Sequence, residues 1–151
     1  MTEEHDAYVE SAIRWAMREL DAIDYTHRCY AFVEDAYELG NDMILDGKST
    51  CAAEAAEAYR AGDYKNDPPQ RGAYVFYDCW GTIGGDCRNW GHVGIHMGDG
   101  AVIHAWDRVR VDNLHDVENL KPGPGFEAPR YVGWTPVSVI LRGMTDPTGG
   151  R

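Results

Sequence analysis

Three residues in this sequence could together do nucleophilic chemistry: Cys29, His92 and His104. A thiol is a weak nucleophile until it ionises, and a free pKa of about 8.5 leaves only a few per cent as thiolate at neutral pH. The start of a helix raises that fraction, because unpaired backbone N–H groups and the macrodipole favour negative charge there. An imidazole completes the machinery by pairing with the sulfur and later protonating a leaving amine. A third polar group must orient that imidazole and fix its tautomer. Cys29 opens an apolar periodic run, where a helix begins, and His92 and His104 lie either side of a turn. One histidine as base and the other as orienter fits the requirement.

Whether the histidines meet depends on the turn. The stretch 91–105 reads as two strands joined at Gly98-Asp99-Gly100. Alternate strand residues share a face, so His92, Gly94 and His96 point one way and Val93, Ile95 and Met97 the other. A two-residue Asp99-Gly100 loop is the stronger generic hairpin signal, but it pairs Met97 with Val102 and separates the histidines. A three-residue Gly98-Asp99-Gly100 loop pairs Met97 with Ala101, Gly94 with His104 and His92 with Trp106. His92 and His104 are then diagonal neighbours roughly 7–8 Å apart at the backbone, within reach of two imidazoles. Glycines at both ends suit the left-handed conformation that such a loop needs. The three-residue loop is preferred because it unites the histidines; without that functional reason the two loops are evenly matched.

The remaining chemistry-bearing residues are weaker signals. His96 shares the face of His92 and is taken as lining of the site; a metal site of His92, His96 and His104 is a minor alternative. His5, His27 and His115 lie in polar contexts. Cys51, in an alanine-rich segment, reads as a small hydrophobe outside the site. Cys79 and Cys87 flank a segment read as a flexible loop, and a disulfide and two free thiols are equally matched there. No pair of cysteines has C-x-x-C spacing, so no structural zinc and no cofactor is implied.

The elements that must position these residues follow from periodicity. Residues 5–21 form an amphipathic helix through Tyr8, Ala12, Trp15, Ala16, Glu19 and Leu20. The segment 21–28 is a polar loop. Cys29, Phe32, Val33, Ala36 and Tyr37 make one apolar face of a second helix that Gly40 stops. Ser49 or Thr50 caps a third helix over 51–59, which Gly62 ends. The segment 63–71, with Pro68-Pro69, is a loop. Strands then follow at 73–77, in the histidine hairpin, at 109–111, at 131–134 and at 137–141, the last two separated near Pro136. Helices first and an antiparallel sheet second give an α+β fold, N-terminal helices packed on a central antiparallel sheet.

The 151 residues, 44% of them apolar, suit a single domain, expected over 1–144 with a mobile tail at 145–151. The formal charge of −11 argues against nucleic acid or an anionic membrane as partner. No apolar run approaches the ~20 residues of a membrane span. The acidic start, Met1-Thr2-Glu3-Glu4-His5-Asp6, lacks the pattern of a signal peptide. The chain is expected to be cytoplasmic when made, with export by another route or release by lysis left open.

Arg28-Cys29-Tyr30-Ala31-Phe32-Val33, with Tyr37 beyond, resembles the nucleophile helix of the NlpC-type cell-wall cysteine peptidases, whose pattern is Asp-Cys-Ser-Gly-Phe-Val followed by a tyrosine. The segment from Pro69 to Tyr77 resembles their first core strand. His92-Val93-Gly94-Ile95, Gly98-Asp99-Gly100 and Val102-Ile103-His104-Ala105, with twelve residues from His92 to His104, resemble their histidine hairpin. The resemblance implies a papain-like fold and a triad of Cys29 as nucleophile, His92 as base and acid, and His104 as orienter. It implies a backbone oxyanion hole at Cys29 and a tyrosine hydroxyl beside the site at Tyr25; Arg28 and Tyr30, which depart from the family pattern next to Cys29, and His96 on the face of His92 are expected to contact substrate as well. The implied substrate is the peptidoglycan stem peptide or a related small peptide, with the family-typical cut between D-γ-glutamyl and diaminopimelate; an immunity or inhibitor protein is left open as a further partner. Arg28 stands where the family carries an acid, so it would repel a free amino group and could hold a carboxylate. The alternatives are a muramoyl–L-alanine amidase or acyl transferase on the same Cys-His pair, and a non-catalytic binding module of the same fold.

Overall fold

A computed structural model describes residues 3–47 and 49–146. Its centre is an antiparallel five-stranded sheet in the order β6-β5-β4-β1-β7, built from β1 (Tyr74–Asp78), β4 (His92–Gly98), β5 (Ala101–Ala105), β6 (Val109–Asn113) and β7 (Arg130–Thr135). A separate hairpin, β2 (Trp80–Ile83) and β3 (Asp86–Asn89), stands beside it. The helices α1 (Glu3–Arg18), α2 (Cys29–Asn41) and α3 (Ala52–Ala58) precede the sheet in the chain. This is the α+β fold expected, with the N-terminal helices on a central antiparallel sheet.

The two faces of the sheet divide the core. Tyr74 and Phe76 of β1, Val93 and Ile95 of β4 and Ile103 of β5 pack against α1, α2 and α3. On the other face Val75 and Tyr77 of β1 and Val102 of β5 join Leu114, Val117 and Trp134 in a smaller cluster. The alternation of strand side chains produces this division. In α1, Glu3, Glu4 and Asp6 sit in the first turn and Arg18 in the last, complementing the helix dipole. Its buried stripe is Tyr8, Val9, Ala12, Ile13 and Ala16.

Gly40 does not stop α2. A Cβ there would lie 2.8 Å from the Ser11 carbonyl oxygen, so glycine lets α1 and α2 approach closely. The helix ends at Asp42, whose left-handed backbone (φ 52°) returns an N–H to the Glu38 carbonyl. Residues 51–59 contain α3 capped by Cys51 without a side-chain bond; Thr50 instead bonds Glu54 through its hydroxyl at 2.8 Å. Left-handed Arg60, not Gly62, turns the chain into a 3₁₀ helix at Ala61–Tyr64.

Two expectations about strands are corrected. The segment 137–141 is not a strand: Val137–Ile140 form a short helix, α4, behind Pro136. Proline is favourable at the start of a helix, and the Val137 N–H finds a side-chain acceptor in Gln70 Oε1 at 2.9 Å. The segment between Cys79 and Cys87 is not a loop but the β2–β3 hairpin, with Gly84 and Gly85 both at positive φ (58° and 81°) in a two-residue turn. All four cysteines are free thiols. Thr145, assigned to the tail, exchanges backbone hydrogen bonds of 2.8 Å in each direction with Ile44. Residues 147–151 of that expected tail lie outside the described residues.

Candidate functional site

The histidine hairpin combines both readings of its turn. Asp99 and Gly100 take left-handed backbones (φ 52° and 83°), which is the two-residue turn that Asp-Gly favours. Gly98 then pairs with Ala101, but the register shifts before His96, which pairs with Val102, so Met97 is left as a bulge. That single extra residue brings Gly94 opposite His104, the pairing expected of the three-residue loop. Gly94 also makes the room: a Cβ there would fall 2.5 Å from Val102 Cγ1 and 2.9 Å from His104 Cβ.

His92 and His104 accordingly share a face. His92 Nε2 is 2.8 Å from His104 Nδ1, and both residues are almost wholly buried. His104 Nε2 lies 2.7 Å from Asp112 Oδ2, and Arg110 Nε donates to the same oxygen at 2.8 Å. The chain of bonds assigns the tautomers. An ionised Asp112 only accepts, so it takes the Nε2 proton of His104, and in the neutral ring Nδ1 is then the acceptor. His92 must then donate from Nε2, which leaves its Nδ1 as a lone pair. The hydrogen bond from His104 is the largest cause holding the Asp112 carboxyl down to about 2. Burial, and then the neighbouring His104, push His92 well below the ordinary imidazole range, so it is neutral.

Cys29 does stand at the start of α2. Burial nevertheless pushes its thiol up to about 11, against the opposing pull of backbone N–H groups from Val93, Tyr30 and Cys29 itself. Among the described residues no hydrogen bond joins its sulfur to His92, whose Nε2 is committed to His104 and whose ring packs edge-on to Trp106 at 5.0 Å. The histidine half of the expected triad is assembled; the thiol–imidazole half is not.

The two residues lie on one cleft of about 750 Å³. Its aromatic lining is Tyr30, Trp90, Trp106 and Phe126, and its charged lining is Arg28, Arg88, Lys121 and Asp107. Gly91, just before β4, allows α3 to close one side: a Cβ there would be 2.3 Å from the Ala53 nitrogen, which donates to the Trp90 carbonyl at 3.1 Å. Arg88 stacks over the Trp90 ring at 4.5 Å. Phe126 covers Gly81 of the β2–β3 hairpin so closely that a Cβ would be 2.0 Å from its ring.

Of the expected substrate contacts, Arg28 and Tyr30 line this cleft. Tyr25 does not: its hydroxyl donates to Asp35 Oδ2 at 2.7 Å, and its ring packs on Phe32 at 5.3 Å. His96 does not either. Its Nε2 accepts the Gly100 N–H at 3.0 Å and its Nδ1 faces the Gln70 carbonyl at 3.2 Å, so it braces the turn. Cys51, placed outside the site from sequence, lines the cleft as the residue capping α3, and Cys79 lines it too. Among the described residues no group of three His, Cys, Asp or Glu could hold a metal ion, which removes the site of His92, His96 and His104. Asp112 and Arg110 were missed because the strand was ended at Val111. The alternation Arg110-Val111-Asp112 continues it and would have placed a carboxylate diagonal to His104.

No protein-family model matches the chain, and no curated protein matches it. Among solved structures the chain is similar to RipD from Mycobacterium tuberculosis, described as a non-catalytic NlpC/p60 domain protein adapted to a peptidoglycan-binding function. The identity is 14%, the match covers 86% of this chain and 97% of that one, and the TM-score is 0.49. The geometry corrects the expectation of a cysteine peptidase or hydrolase. A thiol held protonated by burial, with no base in hydrogen-bond contact, lacks the activation that a cysteine nucleophile needs.

Proposed function

We propose that this domain is a non-catalytic binding module whose cleft takes a peptide, with the peptidoglycan stem peptide as candidate ligand. The observation that carries this reading is the cleft itself: a concave, largely apolar space walled by Trp90, Trp106 and Phe126, with neutral His92 and the Cys29 thiol among its lining residues. Such a lining buries apolar side chains while a few polar groups fix orientation, which is how small-ligand sites are built. Aromatic walls add contact area at low entropic cost. The ligand class comes from the resemblance of the His92–His104 hairpin to that of cell-wall peptidases. Among the described residues no helix is long and apolar enough to cross a membrane.

Calorimetric titration with a purified stem peptide tests the reading. Saturable binding is expected, with the peptide recovered intact by mass spectrometry after long incubation. Trp106→Ala should lose most of the affinity, because it removes one wall. No binding at millimolar peptide, or conversion of the peptide, would overturn the proposal.

A further inference from the structure

We propose that the cleft reads a free peptide carboxyl terminus: the carboxylate lies at the start of α2 between Arg28 and Lys121, and the amide N–H of the same terminal residue bonds Nδ1 of His92. This rests on the binding-module reading and deepens it. Three observations converge on it.

The first is the start of α2, a helix of 13 residues. No side chain caps it and no acidic residue stands in its first turn. The first N–H bonded back into the helix is that of Phe32, to the Arg28 carbonyl at 3.0 Å. The Ala31 N–H precedes it and has no intrahelical acceptor, and Ala31 lines the cleft. An anion there meets a backbone donor and the positive end of the dipole.

The second is charge. The chain carries −11 overall, yet the cleft lining holds Arg28, Arg88 and Lys121 against the single carboxylate of Asp107. That carboxylate is already engaged by Arg108 Nη1 at 3.2 Å and Arg110 Nη1 at 3.1 Å. Arg88 is held by Asp86. Among the described residues Arg28 and Lys121 have no carboxylate partner. Among the described residues the Arg28 guanidinium bonds the Asp24 carbonyl, at 3.4 Å, and lies over the Tyr25 ring at 5.3 Å. The lining thus reverses the sign of the molecule and presents two cations to an incoming anion.

The third is His92, a cleft-lining residue only 3% exposed. Its Nε2 proton is committed to His104, and its Nδ1 lone pair has no hydrogen-bond partner among the described residues. The nitrogen is open to the cleft rather than sealed off, so a ligand that brings a donor takes the place of water there. An inorganic anion has no such donor. A peptide's last residue has both groups, an amide N–H and a carboxylate on the same Cα.

Three forms of a stem tripeptide test the proposal by calorimetry on the intact protein: the free acid, its C-terminal carboxamide, and the acid N-methylated at its last amide. The carboxamide and the N-methyl peptide should each bind about tenfold more weakly than the acid, the scale of one charge-assisted hydrogen bond. The double variant Arg28→Gln, Lys121→Gln should bind acid and carboxamide equally, and its exposed substitutions should leave the circular dichroism unchanged. Equal affinity of the wild type for all three forms would overturn the terminal reading while leaving the binding module standing. Failure of every form to bind would overturn the binding module, and this inference with it.

Discussion

Cys29 stands where a helix ordinarily encourages a thiol to ionise, yet burial prevails and holds it protonated up to about 11. Cys79, in the same cleft, is pushed up to about 11 by burial as well, whereas Cys87 on β3 is exposed. Iodoacetamide at pH 8, followed by peptide mapping, should therefore label Cys87 well before Cys29 and Cys79. Labelling of Cys29 first would show an ionised thiol and reopen the catalytic question. Asp112 gives a second test. Its folded pKa of about 2 lies below the ordinary 3.8, chiefly through the bond from His104. A depressed carboxylate contributes stability that is complete above its unfolded pKa and is lost as pH falls through the folded one. The stability difference between wild type and Asp112→Asn, on the order of 2 kcal/mol above pH 4, should shrink toward zero as denaturation is repeated down to pH 2. Residue types at Cys29, His92 and His104 could be read from the chain. The meeting of the two histidines could be read too, from their diagonal placement in the hairpin; the protonated Cys29 thiol and its lack of a bond to His92 could not, because ring orientation and burial are products of packing that no spacing encodes.

At the scale of elements, the hairpin shows how a correct register can come from an incorrect turn. The Asp-Gly pair makes its favoured two-residue turn, and a bulge at Met97 restores the alternation that the histidines need. Bulges leave little trace in composition, so the two candidate loops were evenly matched in sequence. The helix at Val137–Ile140 and the β2–β3 hairpin were misread for related reasons. Val137, Val139 and Ile140 favour strands intrinsically, but Pro136 and Gln70 supply a helix start. Gly84-Gly85 read as flexibility where it supplies a turn. By contrast α2 could be read almost to the residue, since five apolar positions at helical spacing leave little choice. Gly94 offers the sharpest element-level prediction. Gly94→Val should cost about 1–3 kcal/mol in chemical denaturation, because the added methyls displace His104 or separate β4 from β5. Stability within a few tenths of wild type would mean that the hairpin has slack the register does not show.

For the whole molecule, one sheet keeps its helices on one face and a smaller cluster on the other, and its end carries the cleft. The reversal of charge at that cleft has a kinetic consequence. A carboxylate approaching from far away feels a body of charge −11 and is slowed; within roughly a Debye length, about 8 Å at physiological salt, Arg28 and Lys121 take over. Added salt therefore acts in opposite directions on the two halves of the encounter. It screens the long-range repulsion and quickens association, while weakening the short-range pairing and quickening release. In stopped-flow measurements both rate constants should rise together with ionic strength, so that affinity changes less than either. The ligand would exchange slowly in dilute buffer and rapidly in brine.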